Sequence, residues 1–204
     1  MTVSVSALLE ESRSLGFLGP GPVEDHIRHS LAFIDAVPTE PSKALDLGAG
    51  GGLPGLVLVA EVWPTTSWTF LDSQAKRTAF LARSVEALGH SHRVEIVTDR
   101  AEVVGRDGVH RSSYDLVVSR SFGPPAVTAE CAAPLLRPGG LLVVSEPPEP
   151  ATDRWPKSGL AELGLIVDHA DDRYGAHLMV LRRTDDPVEE YPRRTGIPAK
   201  RPLF

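Results

Sequence analysis

Cysteine is almost missing from this chain. Cys131 is the single one, so an internal disulfide is impossible and a cysteine-rich metal site is excluded. No apolar run approaches the roughly 20 residues that a membrane-spanning helix requires. Met1 to Glu11 shows no basic start followed by an apolar core, so it reads as having no secretory signal, and a cytoplasmic protein is expected. No Gly-x-x-x-x-Gly-Lys-Ser/Thr phosphate loop is present, because no lysine follows the glycines. There is no Gly-x-Ser-x-Gly nucleophile elbow either. His26 and His29 share a helix face, and His90 and His92 lie in a loop, but neither pair has zinc-ligand spacing. They read as surface or packing histidines, and no metal is expected. Positive charge is also scarce. A net charge of -6 speaks against broad nonspecific binding to nucleic acid, which calls for a basic face. The exception is the tail, where Arg193, Arg194, Lys200 and Arg201 cluster. A local patch can hold phosphate on an acidic protein, since charges act within a Debye length of about 8–10 Å. The same residues also read as a solvated, frayed terminus.

What is present is ordinary globular material. A hydrophobic fraction of 42% in 204 residues is enough for one well-buried domain with a small appendage. Ile27, Leu31 and Ile34 recur at helical spacing and predict a helix from about Val23 to Val37, ended by Pro38. Strands and helices then alternate. Strands are predicted at Lys43–Leu47, Trp68–Leu71, Val94–Val97, Leu116–Val118 and Leu141–Val144. Helices are predicted at Gly55–Trp63, Lys76–Leu88 and Ala126–Leu136. The strands are short, continuous and β-branched, which suits a parallel sheet covered on both faces. Leu165–Val167 and His177–Leu181, linked through Asp171-Asp172-Arg173-Tyr174-Gly175, read as a hairpin added at one sheet edge. The expected fold is α/β: a doubly wound, mostly parallel, Rossmann-like sheet. A helical extension over residues 1–40 precedes a core at 41–188, and a basic tail at 189–204 follows it.

The chemistry begins at Ala44-Leu45-Asp46-Leu47-Gly48-Ala49-Gly50-Gly51-Gly52-Leu53-Pro54-Gly55. A strand ends in an acid and a glycine-dense turn, then a helix starts. Glycines tolerate positive φ and let a backbone come close to a ligand. Gly50-x-Gly52-x-x-Gly55 fits the dinucleotide fingerprint. Asp46-x-Gly48-x-Gly50-x-Gly52 fits the loop of S-adenosylmethionine methyltransferases. Counting from Gly48, the glycine nearest the strand, puts Leu53 where a third dinucleotide glycine belongs. Asp46 favours S-adenosylmethionine, whose methionine part carries an ammonium group. A tight strand–helix turn without a ligand is the bland alternative. Asp72 ends the second strand, where an acid accepts hydrogen bonds from ribose hydroxyls or caps the next helix. Arg137-Pro138-Gly139-Gly140 reads as a turn into the fifth strand.

Longer segments carry a family resemblance. The chain resembles the bacterial small-subunit rRNA guanine-N7 methyltransferase family (RsmG, also called GidB). The matching segments are His26-Ile27-Arg28-His29-Ser30-Leu31, the loop from Asp46 to Gly55, Asp72-Ser73-x-x-Lys76-Arg77-x-x-Phe80-Leu81, Arg100-Ala101-Glu102 and Ser119-Arg120-Ser121-Phe122. The tail Pro192-Arg193-Arg194-x-Gly196-x-Pro198-x-Lys200-x-Pro202-Leu203 matches as well. The resemblance implies a seven-stranded class I methyltransferase sheet, S-adenosylmethionine as cofactor and small-subunit (16S) rRNA as partner. It implies that Gly48 and Leu53 line the cofactor site, that Ala101 and Glu102 meet the adenosine end, and that Arg120 lies beside cofactor and guanine. Asp46, Gly50, Gly52 and Asp72 complete the expected cofactor set. Arg193, Arg194, Lys200 and Arg201 would hold the RNA backbone. One departure is notable: the family commonly has Lys-Gly after the fifth strand, whereas this chain has Ser145-Glu146-Pro147-Pro148. Guanine N7 has a free lone pair, so no general base is required, and Arg120 is assigned a positioning role. A different RNA or a small-molecule acceptor, and a SAM-binding module without turnover, are the competing expectations.

Overall fold

A computed structural model describes residues 3–149, 153–172, 175–184 and 189–204. Its helices are α1 (Val5–Ser14), α2 (Val23–Leu31), α3 (Gly55–Glu61), α4 (Ala75–Ala87), α5 (Ala101–Val104), α6 (Pro125–Ala132), α7 (Lys157–Glu162) and α8 (Ile197–Lys200). Its strands are β1 (Lys43–Leu47), β2 (Ser67–Asp72), β3 (Val94–Thr98), β4 (Tyr114–Ser119), β5 (Leu136–Glu146), β6 (Leu165–Asp171) and β7 (His177–Arg183).

Alternation along the strands builds two cores. Ala44 of β1 packs into one apolar cluster, while Leu45 and Leu47 pack into the other. β4 repeats this, with Leu116 and Val118 on one side and Val117 on the opposite side. Because side chains alternate across a sheet and both faces are covered, the strands read as continuous apolar runs. Leu9, Val23, Leu56 and Phe80 bring α1 to α4 onto the first face. Val104, Ala129 and Leu160 bring α5, α6 and α7 onto the second.

The seven strands run in the order β3-β2-β1-β4-β5-β7-β6. β1 to β5 pair in parallel, and β7 is antiparallel to both β5 and β6. The expected hairpin is therefore present at one edge, with its second strand inside and its first outside. Arg173 and Tyr174 of its predicted link lie outside the described residues. Chain order reverses between β1 and β4. In open α/β sheets the carboxyl ends of strands at such a switch point hold the ligand crevice.

Three local expectations change. The helix predicted over Val23–Val37 stops at Leu31 and tightens to a 3-10 turn over Ala32–Ile34, a common way for a helix end to satisfy its last carbonyls. The helix predicted over Ala126–Leu136 gives way to 3-10 geometry at Ala133–Leu135, because Pro134 has no N–H to continue an α-helix. Arg137–Gly140 is not a turn before a strand but an outward excursion within β5. Leu136 pairs with Tyr114 and Leu141 with Leu116, so the register jumps between them. Gly139 at φ 80° makes this possible.

Candidate functional site

The glycine loop crosses the carboxyl end of β1 in a left-handed path, with φ of 74° at Gly48, 52° at Gly50 and 100° at Gly52. Space is as limiting as dihedral angle. A Cβ on Gly48 would lie 2.6 Å from the Phe122 ring, and one on Gly51 would lie 2.6 Å from both Leu18 and Ser12. Gly51 thus lets the N-terminal helices sit on the loop, and Ser12 Oγ donates to its carbonyl at 2.9 Å.

Asp46, at the strand end, and Gly52, in the loop, line neither of the two clefts that flank it. Asp46 was expected to face the cofactor's ammonium. It is fully buried, and its Oδ2 accepts from the Gly55 amide at 2.8 Å. Its Oδ1 has no partner among the described residues. Burial pushes its carboxyl up to about 7, with the Gly55 amide opposing and Asp72 adding. Its observed work is to pin the start of α3 under the loop.

Two clefts flank the loop. The first, of about 300 Å³, is lined by Gly48, Asp72, Arg77, Ala101, Glu102 and Phe122 among others. Asp72 ties its wall together: Oδ2 accepts from the Gly50 amide at 3.0 Å and Oδ1 from the Gln74 amide at 2.8 Å. Arg77 stands 3.6 Å from the same carboxylate. Glu102 Oε1 accepts from Arg100 at 3.1 Å and from the Gly196 amide at 2.9 Å. Despite its burial, these donors hold its carboxyl below the usual value. The second cleft, of about 180 Å³, is lined by Gly48 to Gly51, Leu53, His26 and Arg120.

Arg120 follows β4 directly. It donates from Nη2 to His26 Nδ1 at 2.8 Å, so that nitrogen carries no proton. Nη1 is buried and has no partner among the described residues. Burial lowers its pKa. Burial also holds the neighbouring His29 imidazole down to about 4, with Arg120, His26 and His177 contributing, and its Nε2 meets Ser145 Oγ at 2.8 Å. Arg120 is therefore a half-buried cation with an unused donor, an arrangement that leaves room for an anion.

S-adenosylmethionine fits this set of groups. Carboxylates at the end of β2 (Asp72) and in the first turn of α5 (Glu102) suit nucleoside hydroxyls, as in other strand-end nucleotide sites. The positive-φ glycine path admits close backbone approach. The unpartnered Arg120 Nη1 suits a carboxylate, for which a guanidinium is the matched donor.

The basic tail is divided in use. Arg193 Nε and Nη2 donate to the two oxygens of Glu130 at 2.9 and 2.6 Å, and the Arg193 amide donates to Glu130 Oε1 at 2.8 Å. Expected on RNA, Arg193 is instead committed to a fully buried carboxylate. Arg194, Lys200 and Arg201 are exposed. Ala199 reaches the wall of the first cleft.

Sequence reasoning did not single out His26, Arg77 or Phe122 as site residues. Ser121 also escaped it, although it borders both clefts and takes φ 59°. The available signal was position: Ser121 and Phe122 lie two and three residues past the end of β4, at the switch point.

A family model for rRNA small subunit methyltransferase G matches residues 21–149. The chain is 34% identical to Ribosomal RNA small subunit methyltransferase G of Prochlorococcus marinus (strain MIT 9303), over 80% of this chain and 69% of that one. It is 32% identical to the protein of the same name from Pelotomaculum thermopropionicum, over 97% of this chain and 87% of that one. Among solved structures, a putative sarcosine dimethylglycine methyltransferase from Galdieria sulphuraria superposes with TM-score 0.57 at 14% identity, covering 80% and 86% of the two chains. A SAM-dependent O-methyltransferase from Thermotoga maritima gives TM-score 0.55 at 13% identity, covering 87% and 71%. The structural likenesses speak for the fold.

Proposed function

Because the chain belongs to the rRNA small subunit methyltransferase G family, we propose that it transfers the methyl group of S-adenosylmethionine to N7 of a guanine in small-subunit (16S) ribosomal RNA. One observation carries the geometry. Ser121 borders the Asp72–Glu102 cleft, the Arg120 cleft and a third cleft behind Phe122. A cofactor held in the first two would therefore present itself to an acceptor in the third.

When bound, the cofactor supplies an electrophilic methyl group on a cationic sulfur. The chain's share is positioning. Asp72 and Glu102 take the nucleoside hydroxyls, and Gly48, Gly50 and Leu53 let the backbone approach. Arg120 Nη1 takes a carboxylate or the acceptor's phosphate. Guanine N7 needs no deprotonation, so the rate gain rests on orientation, which can supply several kcal/mol of barrier lowering. Arg194, Lys200 and Arg201 hold RNA phosphates and contribute register rather than sequence choice. Ribosomal subunits place this work in the cytoplasm. Among the described residues no helix is long and apolar enough to cross a membrane.

The test is transfer of labelled methyl from S-adenosylmethionine to small ribosomal subunits from cells lacking the protein, followed by nucleoside analysis. Label is expected in N7-methylguanine at one rRNA position. Label only in a small-molecule acceptor would overturn the reading.

A further inference from the structure

Two residues that line the third cleft each carry a buried polar atom with no partner among the described residues. This cleft, of about 360 Å³, is lined by Phe122, Glu146, Arg154 and Trp155 among others. Glu146 and Trp155 are each 7% exposed. Glu146 Oε2 accepts from Arg154 Nε at 2.6 Å, while Oε1 has no partner among the described residues. Trp155 Nε1 has none either. Leaving a buried acceptor or donor unsatisfied is costly. The wall of the cleft therefore carries a buried acceptor and a buried donor that are unpaired among the described residues.

We propose that this cleft reads the acceptor base, with Glu146 Oε1 accepting from the N2 amino group of guanine and Trp155 Nε1 donating to O6. The inference rests on the function proposed above and names the residues that choose guanine. Guanine's N2 amino group lies on the opposite side of the base from N7. A base whose N2 meets Glu146 thus turns N7 back toward Phe122 and Ser121, which the cleft shares with the glycine-loop cleft. Phe122 offers an aromatic surface on which the base can stack. Arg154 holds Oε2, which leaves Oε1 as the oxygen open to a ligand. An acid at the end of β5 is a handicap for holding phosphate but an advantage for binding an amino group.

Glu146→Gln is the sharp test, because shape is kept. Arg154 will hold the amide oxygen, so the NH₂ turns into the cleft and faces guanine's own donors. The substrate is 16S rRNA ligated so that the mapped acceptor is guanosine or inosine, which lacks only the N2 amino group. Wild type should favour guanosine at least ten-fold in kcat/KM, as expected when a built hydrogen-bond site loses its partner. Glu146→Gln should lose at least ten-fold on guanosine RNA and no longer distinguish the two, with S-adenosylmethionine affinity unchanged and the variant still folding cooperatively. Trp155→Phe should lower guanosine transfer several-fold and provides a second reading. An equal guanosine preference in wild type and Glu146→Gln overturns the inference alone. Absence of N7-methylguanine from wild-type reactions overturns the function, and this inference with it.

Discussion

Arg193 in the tail closes a two-point grip on Glu130 of α6, with contacts of 2.9 and 2.6 Å to the two oxygens of a carboxylate that no solvent reaches. Neighbouring contacts extend the docking: Arg111 donates to the Tyr191 carbonyl at 2.8 Å, and the Gly196 amide donates to Glu102. The tail is thus part of the folded body on the α5–α6 side, and its last turn borders the cofactor cleft.

Arg193→Ala leaves Glu130 buried without its cation. Removing one partner of a buried pair is far more costly than the pair is worth, so a loss of about 2–4 kcal/mol is expected. It will appear as a lower urea midpoint. Arg194→Ala and Lys200→Ala remove exposed cations, and surface changes of this kind stay within about 0.5 kcal/mol. Each of these two should instead reduce the salt slope of RNA binding by roughly one unit. The same pattern of stability and slope for all three substitutions would refute the division.

Gly48→Ala should abolish S-adenosylmethionine binding, with at least a hundred-fold weaker affinity by calorimetry. The new methyl would meet Phe122 at 2.6 Å from a backbone held at φ 74°. Relief would require moving Phe122, a wall of the first and third clefts. Gly89→Ala is the control. Gly89 also has a left-handed φ, of 79°, but nothing lies within 4 Å of its Cβ position. It should lower stability by about 1 kcal/mol and leave cofactor affinity alone.

The uneven legibility of the site has a physical basis. Gly48 could be read as a close-approach glycine, because a strand, an acid and further glycines surround it in sequence. The sheet was legible for a similar reason, since strands buried on both faces leave short continuous apolar runs. The Asp46–Gly55 contact was not legible because an acid at a strand end looks the same in sequence whether it faces a ligand or a neighbouring amide. Only the Gly55 contact decides. The grip of Arg193 on Glu130 joins residues far apart in the chain, and no local pattern marks Glu130 as buried. Glu146 was noticed as a departure from the family, but its use depends on Arg154 and Trp155 turning toward one cleft. The Arg137–Gly140 excursion was read as a turn because proline and glycine mark chain irregularity without saying whether a strand resumes in the same ladder.

Asp46 gives the loop a pH dependence whose sign is fixed by its environment. Burial raises its carboxyl to about 7 in the folded chain, above an unfolded value of about 3.9. The folded state then binds the proton more tightly, so this group stabilises most below about pH 4. That stabilisation is lost as pH rises through 7. Glu102, Asp115 and Asp168 have carboxyls held below their usual values and act in the opposite sense. Comparison with Asp46→Asn cancels those common contributions. The asparagine oxygen can still accept from Gly55, and its NH₂ does not ionise. Urea unfolding at several pH values should show wild type losing roughly 1–3 kcal/mol relative to Asp46→Asn between about pH 4 and pH 7. Above about pH 8 the difference should level off. A difference that stays flat across this range would mean that Asp46 remains ionised in the folded protein and that its free Oδ1 finds a partner in solution.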